Sequence, residues 1–197
     1  MEDQDYERGT SGWWNSRYLS GDTPWDTGIV PPELCEMVES GLLTPGRAVD
    51  MGCGSGLNSR YLARQGFRVV GMDLALSPLT QGNAAARAAN LTPLFCMADV
   101  TAPPLVSLGA TFALDIGCFH AVLPERRTRY AAALASLLAS GAHYLLYAFE
   151  PQENAEGRPV GIGPETLQLL APYFSLRWAR HGNDQDRPSA WYLFRRR

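Results

Sequence analysis

The chain contains no lysine: all 17 of its basic residues are arginine. Without an ε-amine there is no Schiff-base chemistry and no phosphate-binding lysine of the Walker type, so an ATP-hydrolysing P-loop is excluded. Cysteine is sparse. Cys35, Cys53, Cys96 and Cys118 stand singly, without the close pairs that zinc sites use, and no metal is expected. Excess positive charge is also missing. A formal net charge of -3 gives no electrostatic reason for a nucleic-acid partner, and a small molecule is the expected ligand. No apolar run approaches the ~18 residues of a membrane span. The first ten residues, MEDQDYERGT, are acidic and polar where a signal peptide is basic and then apolar. A cytoplasmic protein with reduced thiols is the expectation.

What remains is an ordinary globular composition, 46% hydrophobic and 19% charged over 197 residues. That length suits one domain, 1–197, with a sizeable core. Residues 1–30 mix Trp13, Trp14, Tyr18 and Trp25 with four glycines and read as an aromatic arm or lid without much regular structure. Pro31 and Pro32 open a short helix to about residue 40. A regular alternation follows. Strands are expected over 47–50, 68–72, 93–97, 111–116 and 143–149. Helices are expected over 57–65, 77–89 and 124–138, with a Pro/Gly-rich loop over 150–163 and a last helix from Pro164. The segments 174–181 and 190–196 form an antiparallel pair around the loop GNDQDRPS. Strands alternating with helices imply an α/β, doubly wound and mostly parallel sheet, which binds ligands beyond the carboxyl ends of its strands.

Those ends carry Asp50, Asp73, Asp99, Asp115 and Glu150. Between the first strand and helix lies VDMGCGSG, where Gly52, Gly54 and Gly56 let backbone approach a ligand closely and Cys53 matters through its backbone. The dinucleotide fingerprint requires a glycine at position 57, and Leu57 stands there. Asp50 beside the turn repels a pyrophosphate and welcomes an amino group. Asp73 is placed to accept both hydroxyls of a ribose. Asp99 is placed to accept from an exocyclic amine, while Leu74 and Val100 offer apolar faces to a purine. For any one strand-end aspartate a cap or turn role is the commoner fate. Together, amine, ribose and adenine describe S-adenosylmethionine.

The stretches WWNSRYLSGDTPWDTG, VDMGCGSG, GMD, ADV, DIGCFHAVLPERR and GRPVGIGPETL resemble the class I S-adenosylmethionine-dependent methyltransferases of the thiopurine, halide and thiol branch. They are also similar to tellurite-resistance methyltransferases. The resemblance implies a seven-stranded sheet with a terminal antiparallel hairpin, the cofactor over the glycine turn, and a small pocket closed by the N-terminal arm. It implies that Trp14, Trp25, Gly52, Asp73, Asp99 and Asp115 line the cofactor. Ala113, the missing lysine and the residues of the 150s loop depart from the branch, and they leave the acceptor open.

Methyl transfer from a sulfonium is an in-line displacement, in which alignment and dehydration matter more than a strong base. Soft nucleophiles such as thiolate, halide or chalcogenide need little or no deprotonation, whereas an alcohol or amine does. His120, after the fourth strand, is the candidate base, with Phe119 beside it at the substrate end. A hydrogen-bonded histidine at a helix start fits the same position. Arg158 in the 150s loop is the candidate anion clamp, and a solvated loop arginine is the plainer reading. An O- or N-methyltransferase of a larger metabolite and a non-catalytic cofactor-binding protein are the two alternatives.

Overall fold

The computed structural model describes residues 7, 9–105, 107–153 and 159–197. In chain order the elements are α1 (Ser11–Ser20), α2 (Pro32–Glu39), β1 (Arg47–Met51), α3 (Leu57–Arg64), β2 (Arg68–Asp73), α4 (Leu76–Ala88) and β3 (Leu94–Met97). They continue with β4 (Ala110–Ile116), α5 (Cys118–Ala121), a 3-10 turn (Pro124–Arg126), α6 (Arg127–Leu137) and β5 (Leu138–Phe149). After β6 (Gln152–Glu153), β7 (Pro159–Val160) and α7 (Pro164–Gln168) come the long strands β8 (Phe174–Asp184) and β9 (Arg187–Arg196).

Seven strands form one sheet in the order β3-β2-β1-β4-β5-β9-β8. The first five are parallel; β9 runs antiparallel to β5 and β8 antiparallel to β9. This is the doubly wound sheet with a terminal antiparallel pair that the residue pattern implied. Chain order reverses between β1 and β4, so the crevice beyond these two strands is the topological switch point. Side chains alternate across the sheet, and both faces are covered. Tyr144 and Leu146 pack with Tyr130 and Leu134 of α6, while Leu145 joins Leu34 of α2 and Leu62 of α3 on the other side. Burial on both faces explains why β5 reads as an almost unbroken apolar run. Among the described residues no helix is long and apolar enough to cross a membrane.

Three expectations need correction. Within the arm, residues 11–20 form the regular helix α1. Thr10 caps it by accepting from the Trp13 amide at 3.3 Å, and Gly21 ends it at φ 75°. The terminal hairpin has no long loop. Pairing runs on to Asp184 and Arg187, and only Gln185 and Asp186 turn, at φ 49° and 66°. Two positive φ values mark the tight turn that matches strand twist, but Gln-Asp lacks the glycine that usually announces it. Finally, α6 starts at Arg127 after a 3-10 turn, and β5 begins at Leu138 rather than 143.

Candidate active site

β1 ends in the turn that precedes α3, and its backbone leaves no room for side chains. At Gly52, φ is 69°, and an added Cβ would lie 2.6 Å from the Cβ of Cys118. At Gly54, φ is 53°, and a Cβ would lie 2.7 Å from the Tyr18 hydroxyl. The turn is braced from β2: Asp73 accepts from the Gly54 amide at 2.9 Å through one carboxylate oxygen and from the Ala75 amide at 2.8 Å through the other. Burial nevertheless raises the Asp73 pKa against those hydrogen bonds. Asp50, buried at the end of β1, accepts from the Ser59 hydroxyl at 2.7 Å, and burial pushes its pKa up to about 6. Nearby, Asn58 carries a buried side-chain oxygen with no hydrogen-bond partner.

These groups line one cavity of about 720 Å³ at the switch point. Of the residues expected to bind the cofactor, Trp14, Trp25, Asp50, Gly52, Cys53, Gly54, Asp73, Leu74, Asp99 and Val100 all face it. Asp99 is held by neighbours. Thr101 donates to it through its amide at 2.9 Å and its hydroxyl at 2.8 Å, and Arg126 forms an ion pair with its other oxygen. Burial acts to raise its pKa, but these donors prevail and lower it.

Two expected site residues do not face the cavity. Asp115 is 0% exposed and points into the α6 layer, where the Cys118 amide at 2.8 Å, the Phe119 amide at 3.0 Å and the Tyr130 hydroxyl all donate to it. Burial pushes its pKa up to about 7. Phe119 is also 0% exposed and packs on Tyr130 with ring centroids 4.8 Å apart. Both therefore hold the α5 turn in place from behind. Arg158 lies outside the described residues.

The other end of the cavity is built from α5, β5 and the hairpin. His120 lines it, and its Nδ1 accepts from the Phe149 amide at 3.2 Å. A nitrogen that accepts an N–H carries no proton, so the neutral ring presents Nε2–H as a donor. Burial, then Arg127 and Arg187, lower its pKa to about 4. His120 stacks near Phe149 at 4.9 Å between centroids, and the guanidinium carbon of Arg187 sits 4.0 Å over the same Phe149 ring. Tyr147 and Trp191 complete this aromatic wall. The sequence offered His120 as a base; the tautomer fixed by Phe149 makes it a hydrogen-bond donor at neutral pH.

Sequence reasoning missed Tyr18, Arg126, Arg187 and Asn58. Tyr18 follows Trp14 by one helical turn, a signal that becomes readable once Thr10 and Gly21 are taken as caps.

The glycine cradle, the orphan oxygen of Asn58 and the three carboxylates suit a ligand with a cationic amino end, a ribose and a purine. A model of the thiopurine S-methyltransferase family matches residues 9–190. The probable thiol methyltransferase 2 of Arabidopsis thaliana is 28% identical over 167 residues, covering 83% of this chain and 73% of its own. Thiocyanate methyltransferase 1 of Brassica oleracea is 29% identical over 168 residues, covering 82% and 72% respectively. Among solved structures, the 1,6-didemethyltoxoflavin-N1-methyltransferase of Burkholderia thailandensis, bound to 1,6-didemethyltoxoflavin and S-adenosylhomocysteine, is similar in fold. Its TM-score is 0.79 at 22% identity, over 94% of this chain and 86% of that one.

Proposed function

The chain belongs to the thiopurine S-methyltransferase family, and on that premise we propose that its acceptor is a small, soft nucleophile that reaches the cavity already anionic: a thiolate, a halide or a chalcogenide. The enzyme is an S-adenosylmethionine-dependent methyltransferase. When bound, the cofactor supplies a methyl group on a positively charged sulfur. Asp50 and the Asn58 oxygen would hold its ammonium end, Asp73 its ribose, and Asp99 with Leu74 and Val100 its adenine. Asp73 keeps lone pairs beyond the two amides it already accepts from, so bracing the turn does not bar it from a hydroxyl.

The observation that carries the acceptor class is His120. Its Nδ1 is occupied by the Phe149 amide and its pKa is near 4, so at neutral pH the ring donates and does not take a proton. An acceptor that must lose a proton gains nothing from it. An anion gains a hydrogen bond from Nε2–H and the field of Arg187, which among the described residues forms no ion pair with a carboxylate. We place the enzyme in the cytosol, a reading supported by four free cysteines.

The test is release of S-adenosylhomocysteine from the purified protein with iodide, hydrosulfide, thiophenol, selenite and tellurite, against phenol and aniline. Turnover on at least one soft anion is expected to exceed that on phenol and aniline by at least about 100-fold, the usual worth of a missing base. With iodide, which has no proton to lose, the rate at saturating S-adenosylmethionine should stay flat from pH 6 to 9 because His120 is neutral throughout. Comparable turnover on phenol, or an iodide rate that climbs through that range, would defeat the proposal.

A further inference from the structure

The two arginines of the PERR stretch serve different ends of the site. Arg126 lines the cavity and pairs with Asp99. Arg127 stands partly buried behind the cavity wall, where it donates from Nε to the Val122 carbonyl at 3.0 Å and from Nη2 to the His120 carbonyl at 3.0 Å. These carbonyls close the C-terminal end of α5, a four-residue helix that cannot satisfy its own last acceptors. Nη2 also reaches the Gly161 carbonyl at 3.5 Å and Nη1 the Thr166 hydroxyl at 3.4 Å, so one guanidinium ties α5 to the segment that enters α7. Arg127 opens α6, where the helix dipole disfavours a cation, whereas the same charge is favoured at the C-terminal end of α5. Its side chain therefore turns inward to protein oxygens.

These bonds close a ring around His120. The Phe149 amide donates to His120 Nδ1 at 3.2 Å, and the Phe149 carbonyl accepts from the Ile162 amide at 2.9 Å. Gly161, just before Ile162, sits so close to the end of β5 that an added Cβ would lie 2.3 Å from the Glu150 carbonyl oxygen. From Gly161 the guanidinium bridges back to the carbonyl of His120 itself. Ring and backbone of His120 are thus anchored to one frame, at Phe149 on one side and through Arg127 on the other. The Arg127 charge acts in the same sense, because after burial it is the larger of the two charges that disfavour protonation of His120.

We propose that Arg127 is a positioning residue for the acceptor. It holds α5 against the end of β5, so that His120 Nδ1 keeps the Phe149 amide and Nε2–H serves an anionic nucleophile. The proposal deepens the reading of His120 as a donor and rests on it.

A double-mutant cycle with iodide at saturating S-adenosylmethionine tests whether Arg127 acts through His120. Arg127→Met is expected to lower kcat/KM for iodide about tenfold, the usual worth of a hydrogen bond to a charged group, and to leave cofactor affinity within twofold. In the His120→Ala background the same substitution should change kcat/KM less than twofold. Nitrogen NMR of His120 should show the Nε2–H tautomer alone in the wild type and both tautomers in Arg127→Met. Arg127→Lys keeps the charge and loses the fork; it serves where the methionine variant does not fold, and should show a smaller loss with the same dependence on His120. Equal losses in the two backgrounds, no loss in either, or a single Nε2–H tautomer in the arginine variants would overturn the proposal. An iodide rate that His120→Ala alone leaves untouched would instead overturn the reading of His120 beneath it.

Discussion

The two ends of the cavity are built on opposite electrostatic plans. At the ends of β1, β2 and β3, Asp50, Asp73 and Asp99 gather negative charge around a glycine cradle. At the ends of β4 and β5 and along the hairpin, the wall is aromatic, with His120 presenting an N–H and Arg187 stacked on Phe149. Asp184 lines this end too, but its carboxylate accepts from the Tyr147 hydroxyl at 2.8 Å. One end thus suits a cation and the other an anion. A reaction that brings a sulfonium and an anionic nucleophile together loses charge as it proceeds, and the site need only hold the two apart from water and in line.

The sharpest way to break the acidic end is Gly52→Ala. The added methyl meets Cys118 and forces a left-handed backbone on alanine. Strain and overpacking of these kinds cost about 2 to 5 kcal/mol of stability together, so the melting temperature should drop, and cofactor affinity should fall with it by calorimetry as the turn shifts to relieve the clash. The anionic acceptor should be affected only through the lost cofactor.

A second, smaller effect tests whether charge at that end holds the cation. The Asp50 carboxylate, with a pKa near 6, is ionised above that pH and neutral below it. Affinity for S-adenosylmethionine should therefore be steady from pH 7 to 8 and fall towards about tenfold per pH unit below 6. Asp50→Asn should lose roughly tenfold at pH 7.5 and flatten the profile. A profile unchanged by that substitution would remove Asp50 from the ammonium site. The smallest effect sharpens the other end. Arg187→Met keeps a long side chain over Phe149 and removes the charge; it should raise the KM for iodide or thiolate about three- to tenfold and leave cofactor affinity within twofold. An equal loss of cofactor affinity would erase the distinction between the two ends.

The acidic end was legible in the sequence and the aromatic end largely was not. Strand-end aspartates and a glycine turn follow from chain order alone, because β1, β2 and β3 each deliver a polar residue to the same edge. Asp115 shows the limit of that logic. It sits at a strand end directly paired with Met51, yet its carboxylate turns to Tyr130, a partner fifteen positions away that only packing selects. Arg187 was hidden because a two-residue turn without glycine extends the hairpin past the polar stretch that reads as a loop. Helix α1 was hidden because long-range ties to Leu74 and Ser77 help hold it, whereas its own apolar periodicity is weak. The proton on His120 was beyond sequence reasoning, since it depends on the amide of Phe149.

The docking of α1 against the loop that follows β2 has a practical corollary for anyone handling this protein. Gly9 borders the cavity, so an affinity handle is better kept away from the arm that leads into it. Arg197 follows the end of β9 opposite the Gln185–Asp186 turn and bonds to the Tyr173 carbonyl at 3.0 Å. A handle placed there leaves from the far side of the sheet, and binding measurements made with it report on the enzyme rather than on its label.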